Sequence, residues 1–245
     1  MNRRLKLPLI LALLAVPVAA CSMSWSDDDD QGVTPRGSGG ERTYPVEGFE
    51  TIELGAAGDV EVRVGGGYSV TATGTPAALD KVLVERDGKA LKLSRRKGIS
   101  WGSGDKVRFL VTMPRITGAD IGGSGTITID RVPGGSFEGN IGGSGRLDVR
   151  GLAVDKAEFA IGGSGDIAAA GTARSLEVSI GGSGKVRAQP LRAETGEITI
   201  AGAGDIQATV TRHAEVTIMG SGDVDITGGA KCSVAKMGGG KVNCG

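Results

Sequence analysis

Apolar and polar residues alternate in short runs between Phe49 and Met113. The alternating apolar positions are Val60, Val62 and Val64; Val70 and Ala72; Val82 and Val84; Leu91 and Leu93; and Val107, Phe109 and Val111. A period of two puts successive side chains on opposite faces of an extended chain, so these runs predict half-buried strands. Asp87-Gly88 separates two of the runs and is typical of a hairpin turn. A short helical stretch is expected only at Pro76 to Lys81.

The second half of the chain repeats a single unit. The string I-G-G-S-G begins at Ile121, Ile141, Ile161 and Ile180, and relaxed versions begin at Ile200, Ile218 and Lys236, 18 to 20 residues apart. Two more columns follow in each unit: Ile127, Leu147, Ile167, Val186, Ile206, Val224 and Val242; then Ile129, Val149, Ala169, Ala188, Ala208, Ile226 and Cys244. Apolar columns at a fixed period indicate coils stacked on one another. We therefore predict an all-β fold, a right-handed parallel β-helix or solenoid with coils of roughly 18–20 residues.

An earlier segment looks like an irregular version of the same unit. Leu54-Gly-Ala-Ala-Gly-Asp-Val60 aligns with Ile200-Ala-Gly-Ala-Gly-Asp-Ile206. This similarity predicts one domain over residues 43–245, with irregular N-terminal coils and regular repeats from about residue 119 to residue 245.

The chain contains 44 glycines, and many of them lie in the repeated string. Each coil has to turn a corner within a few residues, and glycine reaches positive φ without a Cβ penalty. We therefore expect the glycines to mark corners. G-G-S-G-D resembles part of the calcium-binding nonapeptide of β-roll proteins, but the period near 20 and the fifth-place Asp166 do not fit it. No metal site is predicted.

The N-terminus carries an export signal. Arg3, Arg4 and Lys6 precede an apolar run that is too short for a comfortable membrane span, so residues 1–20 are interpreted as a signal peptide. The run ends in Val-Ala-Ala-Cys21, which resembles a bacterial lipobox, with Cys21 as the lipidated residue. By resemblance to lipoproteins of double-membraned bacteria, Ser22 at the next position favours the outer membrane. Ordinary signal cleavage after Ala20 is the alternative.

Residues 21–42 are interpreted as an acidic, Gly/Ser-rich linker. Asp27 to Asp30 are consecutive and few apolar residues follow, so we expect a disordered tether. Without the three basic residues of the signal, the chain has 28 − 3 = 25 basic and 28 acidic residues, a net charge of −3. This balance does not indicate a nucleic-acid partner.

Two cysteines remain, Cys232 and Cys244. In an oxidising compartment they form a candidate disulfide. Both also fall at inward positions of the repeat, where a free cysteine is a common small apolar filler. With His213 as the only histidine, they do not make a metal-ligand set, and no cofactor is expected.

Candidate ligand contacts are few. Asp205, Asp223 and Asp225 form an acidic cluster that can face a cation or a sugar, although a solvated corner is the simpler interpretation. Trp101 lies in a Gly-Ser loop and is a candidate contact for a partner. Carboxylates are otherwise scattered, and no serine occupies a nucleophile elbow, so the sequence does not predict an enzyme.

Several motifs together resemble a known family. Phe49-Glu-Thr-Ile52, Val60-Glu-Val-Arg-Val64, Leu91-Lys-Leu93 and Val107-Arg-Phe-Leu-Val111, followed by the G-S-G repeats, are similar to the auto-transporter adhesin, head GIN domain family over residues 46 to 244. This resemblance implies a β-helical surface or envelope module, often found on bacterial lipoproteins. It transfers no catalytic or binding residues.

Three functions follow as hypotheses. The first is a non-enzymatic envelope protein, anchored to the membrane by lipid, whose rod serves adhesion, binding or structure and contacts an envelope glycan or protein. The second is a carbohydrate-binding or carbohydrate-active β-helix. The third is a self-associating envelope scaffold, because coil ends present unpaired strand edges.

Overall fold

The computed structural model describes residues 32–96 and 106–245. Its elements in chain order are β1 (Glu41–Tyr44), β2 (Thr51–Leu54), β3 (Asp59–Val64), β4 (Ser69–Gly74), α1 (Pro76–Leu79), β5 (Val82–Asp87), β6 (Ala90–Arg95), β7 (Val107–Met113), β8 (Gly118–Ile121), β9 (Thr126–Ile129), β10 (Val132–Pro133), β11 (Ser136–Ile141), β12 (Arg146–Ile161), β13 (Asp166–Ile180), β14 (Lys185–Gly202), β15 (Asp205–Gly220), β16 (Asp223–Thr227), β17 (Lys231–Gly238) and β18 (Val242–Cys244).

The strands form a solenoid of about six stacked parallel coils, which confirms the predicted fold class. Ile141 pairs with Ile121 on one side and with Ile161 on the other, and the same column continues through Ile180, Ile200 and Ile218 to Lys236. The column from Ile127 to Val242 is also in register, coil by coil. These side chains are buried, except at the last coil, and they form a continuous apolar core.

A further inward column was not anticipated. Phe159, Val178, Ile198 and Val216 stack above one another and are buried. In the preceding coil the residue in register with Phe159 is Gly139. Because Gly139 has no side chain, the Phe159 ring has room beside it. The core therefore has an aromatic contact midway along the rod, where Phe137 and Phe159 meet with ring centroids 6.3 Å apart.

The expected irregular first coil is present. Leu54 of β2 pairs with Ile121, and Val60 of β3 pairs with Ile127, so residues 51–64 occupy the place of one repeat below the regular units. On their other side β2 and β3 pair with β6 and β7. The segment from β4 to β7 therefore passes around the end of the rod before the chain returns to β8.

Antiparallel pairing is confined to this N-terminal end. β1 pairs with β4, β4 with β7, and β5 with β6, the last through the hairpin predicted at Asp87-Gly88. Gly88 has a φ of 55°, as a tight turn requires. The short helix α1 is capped by Thr75, whose hydroxyl oxygen accepts from the Ala78 amide at 3.2 Å.

The domain includes part of the segment assigned to the linker. The amide of Val33 donates to the Val84 carbonyl at 2.7 Å, and Arg36 forms a bridge with Thr43. Residues 33–42 therefore run along the N-terminal strands, and the domain begins before residue 43. Val33, one of the few apolar residues of this segment, packs against the apolar core.

The glycines of the repeated string have a different role from the one expected. Gly142, Gly143 and Gly145 are not among the positive-φ glycines. Instead, the amide of Ser144 donates to the Gly123 carbonyl at 3.1 Å, and that of Arg146 donates to the Gly125 carbonyl at 2.9 Å. A Cβ on Gly145 would lie 2.7 Å from that carbonyl oxygen. Glycine is needed because the corners of neighbouring coils approach too closely for a side chain.

Candidate binding surfaces

Two of the residues singled out in the sequence, Cys21 and Trp101, lie outside the described residues. The remaining candidates lie on the rod. Asp205 and Asp223 are in register on neighbouring coils, and Asp225 follows two residues later on the same outward face. The structure thus brings the three predicted carboxylates together.

These three aspartates already have partners within the rod. Asp205 pairs with Lys185 at 2.9 Å, and Asp223 accepts the amide of Lys241 at 2.8 Å. Asp225 accepts from the side-chain amides of Asn243 at 2.8 Å and Gln189 at 3.4 Å. Their contacts hold neighbouring coils in register. Among the described residues, no group of three or more Asp, Glu, His or Cys side chains is arranged to hold a metal ion.

The two C-terminal cysteines meet at the end of the rod. The structure joins the sulfur atoms of Cys232 and Cys244, whose Cα atoms are 6.6 Å apart, a separation that suits a disulfide. Cys232 belongs to β17 and Cys244 to β18, so the bond closes the last coil. Both occupy inward columns, but no coil covers them: Cys232 is half-buried and Cys244 is exposed.

A row of glutamates was missed in the sequence. Glu158 pairs in register with Glu138 and Glu177, and the row continues through Glu197 to Glu215. The row runs along the outward face formed by β11 and the C-terminal parts of β12 to β15. Neighbouring members are one strand apart, about 4.8 Å. Five like charges therefore follow one another along the rod.

Compensation of this charge is uneven. The ammonium group of Lys156 lies 2.8 Å from Glu158 and 2.9 Å from Glu177. Hydrogen bonds to these two carboxylates raise the pKa of Lys156 well above its usual range. Within the described parts of the chain, Glu197 and Glu215 form no ion pair. The C-terminal half of the row is exposed and has no cationic side chain paired with it among the described residues.

The acidic face extends toward the N-terminal coils. Asn140 donates to Asp120 and to Glu138, both at 2.8 Å, and links the glutamate row to the next column. In that column Asp120 is in register with Glu53. Burial raises the pKa of the Asp120 carboxyl, with Glu138 adding to the effect and the hydrogen bond from Asn140 opposing it. Burial also raises the pKa of Glu53.

The row has a sequence signal. Each glutamate stands three residues before the leading isoleucine of a unit, in Glu138-Gly-Asn-Ile141, Glu158-Phe-Ala-Ile161, Glu177-Val-Ser-Ile180, Glu197-Ile-Thr-Ile200 and Glu215-Val-Thr-Ile218. Aligning the repeats from the isoleucine forward leaves out these positions. An alignment extended by three residues upstream would have found them.

A shallow groove of about 480 Å³ lies on the outward side of β3, β7 and β9. Acidic and basic side chains alternate along it, among them Asp59, Glu61, Arg63, Arg108 and Arg150. Glu61 and Arg63 pair with each other at 2.8 Å. The residues that line this groove include no histidine or cysteine.

In the part of the chain that the structure describes, no helix has the length and apolar character needed to cross a membrane.

Several solved structures share the fold. A “putative adhesin” from Bacteroides fragilis is 24% identical, with a TM-score of 0.79 over 86% of this chain and 99% of that chain. A “putative lipid binding protein” from Parabacteroides distasonis is 21% identical, with a TM-score of 0.68 over 88% and 100%. A “putative adhesin” from Parabacteroides merdae is 19% identical, with a TM-score of 0.66 over 82% and 94%.

Identities this low establish the fold and nothing further. No curated protein sequence matches the chain. Residues 48–230 match the family described as “Putative auto-transporter adhesin, head GIN domain”, which confirms the resemblance noted in the sequence, and the chain belongs to that family.

Proposed function

We propose that this protein is a non-enzymatic, adhesion-like module of the bacterial cell envelope, and that its glutamate row contacts a cationic partner. The observation that supports this most directly is the register of Glu138, Glu158, Glu177, Glu197 and Glu215 on one exposed face. Family membership supports an exported, adhesion-like role.

The glutamate row is not explained by folding. Like charges directly opposite each other on neighbouring strands destabilise a sheet. In one other outward column opposite charges relieve part of such repulsion, as when Arg146 pairs with Asp166 at 2.8 Å and Lys185 pairs with Asp205. A feature that works against stability and recurs in five successive coils is typical of a functional surface. Its electrostatic field would attract a partner that carries several positive charges.

The row lacks the elements of a catalytic site. The glutamates stand one strand apart, about 4.8 Å along the sheet, on an outward face and not in a cleft that excludes water. The side chains beside the C-terminal part of the row are small and polar, as with Thr199 and Thr217. Such a face suits the docking of an extended surface and supports binding in preference to hydrolysis.

A charge-neutralised variant tests the binding role. We expect cells that display Glu197→Gln/Glu215→Gln to adhere to an amine-coated surface at least about tenfold less than cells with the original protein, since two unpaired carboxylates are lost. Adhesion of the original protein should also weaken as salt rises, because exposed charges are screened. Free energies of unfolding in urea should be unchanged or higher by about 0.2–1 kcal/mol, since like-charge repulsion is removed.

The matched control is Glu41→Gln, which removes an exposed glutamate of β1 outside the row. It should change adhesion by less than about twofold. Equal adhesion by the double variant and the original protein would contradict the proposal, and so would equal loss in the control.

Lipid anchoring at Cys21, with residence in the outer membrane, belongs to the same proposal. Val-Ala-Ala-Cys21 and the following Ser22 support it, and residues 22–31 would separate the anchor from Val33, which hydrogen-bonds to the domain. An acylated cysteine would hold the rod at the membrane while leaving its faces open to a partner. Several acyl chains on one residue give firm anchoring, since each buried methylene contributes about 0.8 kcal/mol.

Intact-mass measurement of the protein extracted from outer-membrane fractions tests this location. We expect an N-terminal Cys21 that carries acyl chains, and a mass that shows the Cys232–Cys244 bond by the loss of two hydrogens. In a Cys21→Ser variant the outer-membrane fraction should lose the protein, because the residue that carries the acyl chains is gone. A soluble protein that begins at Cys21 without lipid would rule out the anchor.

A further inference from the structure

Within residues 32–96 and 106–245, one sheet edge of the last coil is unpaired. Among the described strands, β17 pairs with β15 alone and β18 pairs with β16 alone. The main-chain groups on the opposite side of β17 have no strand partner, and seven of its eight residues are exposed. An unpaired edge of this length is a template on which another strand can add. The N-terminal end differs, because antiparallel strands extend the sheet there.

Exposed apolar side chains gather beside this edge. In the described residues the exposed large apolar side chains are Met219, Val234 and Met237, which are 44%, 49% and 70% exposed. Met219 and Met237 are in register at a corner position that is glycine in the first four regular units. Methionine is flexible and polarisable and suits a surface that adapts to a partner. Val234 is in the inward column of Val216 and Met237 is at an outward position, so each face of the free edge presents an apolar side chain.

The same end is basic. Lys231, Lys236 and Lys241 lie in the last coil, and no Asp or Glu side chain follows Asp225. Lys236 takes the place of the isoleucine that leads each earlier unit, and its ammonium group donates to the Gly240 carbonyl at 2.7 Å. Two copies meeting end to end would bring three lysines from each copy together, while the nearest acidic side chains, Asp223 and Glu215, lie one coil back. Such like-charge contacts disfavour self-pairing.

We propose that the free edge of β17 is a docking site for an extended, acidic segment of a partner protein, which adds to the sheet as a further strand. Main-chain hydrogen bonds to β17 would supply the pairing, and Val234 and Met237 would receive apolar side chains of the segment. Lys231 and Lys241 would select for carboxylates, so the charges that discourage a second copy favour this partner. The site adjoins the C-terminal end of the glutamate row, because Ser233 of β17 is in register with Glu215, and it has the opposite charge.

Two labelled peptides test this with the purified full chain. One alternates glutamate and valine, and the other alternates lysine and valine. Fluorescence anisotropy should show at least about tenfold tighter binding of the glutamate peptide. Hydrogen exchange should slow in residues 231–238 when that peptide is bound, because its main chain pairs with the edge. Equal affinity for the two peptides, or binding without protection of β17, would overturn the proposal.

Variants separate this site from the rest of the rod. Lys231→Glu/Lys241→Glu should weaken binding of the glutamate peptide at least about tenfold, whereas Lys106→Glu, a charge reversal at an exposed lysine at the other end, should change it less than about twofold. The double lysine variant should leave adhesion to the amine-coated surface undiminished, so failure here is distinguishable from failure of the glutamate-row proposal. A concentration-dependent dimer that protects β17 without peptide would identify a second copy as the occupant and overturn the assignment.

Discussion

Gly163→Ala is expected to lower the free energy of unfolding by about 3 kcal/mol, a large effect for one methyl group. A Cβ at this position would clash with the carbonyl oxygen of Gly143 in the preceding coil and would lie 2.8 Å from that of Gly142. The Gly143 carbonyl also accepts the amide of Ser164 at 3.0 Å. Because these contacts involve main chain on both sides, no side-chain rotation can relieve the overlap.

The neighbouring residue provides the control. Gly162 is exposed, has no atom within 4 Å of an added Cβ, and is not among the positive-φ glycines. Gly162→Ala should therefore change stability by less than about 0.5 kcal/mol, or raise it slightly by reducing the freedom of the unfolded chain. Urea unfolding of both variants measures the difference, provided that their m-values agree. Similar losses of unfolding free energy in the two variants would contradict this prediction. They would show that the backbone flexibility of glycine, and not the close approach of neighbouring coils, determines the effect.

This contrast shows what the repeated string could and could not reveal. Period and apolar columns predicted the stacking correctly, since a buried column requires an apolar residue at the same place in each coil. The reason for the glycines could not be obtained in this way. A corner that needs positive φ and a corner that touches the next coil both select glycine, and only the distance from Gly163 to Gly143 distinguishes them.

The glutamate row was accessible but was overlooked for a related reason. An argument from alternation identifies which residues point inward and treats the outward ones as solvated. The outward cluster that includes Asp205 and Asp223 was identified because it follows the glycines, whereas Glu158 and Glu177 precede the isoleucine from which the units were aligned. The five glutamates are far apart in the sequence, but the register between coils places them side by side on one surface.

Connectivity at the N-terminal end was the least predictable part. The similarity of Leu54–Val60 to a later repeat indicated that this segment forms a coil, and the pairing of Leu54 with Ile121 confirms it. Nothing in the local sequence indicates that β4 to β7 intervene and place β6 and β7 on the far side of β2 and β3. Long-range pairing of this kind depends on the whole core and not on a motif.

Phe159→Ala is expected to cost about 3–5 kcal/mol. The ring is fully buried, and it lies against Phe137 and over Gly139, so truncation removes both aromatic contact and core volume. Phe159→Leu retains most of the apolar volume and should cost clearly less. Thermal or urea unfolding of the two variants measures the difference, and equal costs would indicate that the ring is not a tightly packed part of the core.

A double-mutant cycle tests whether Gly139 is glycine because of that ring. A Cβ on Gly139 would lie 2.5 Å from Leu147 Cδ2 and 3.0 Å from Phe159 Cδ1, so Gly139→Ala alone should cost about 1–3 kcal/mol through overpacking. With Phe159→Ala already present, the ring no longer opposes the new methyl group, and the added cost should fall, giving a coupling energy of about 0.5–3 kcal/mol. Additive costs would instead assign the restriction to Leu147 alone. The cycle thus asks whether the Phe159 ring or the aliphatic column of Leu147 restricts the coil spacing midway along the rod.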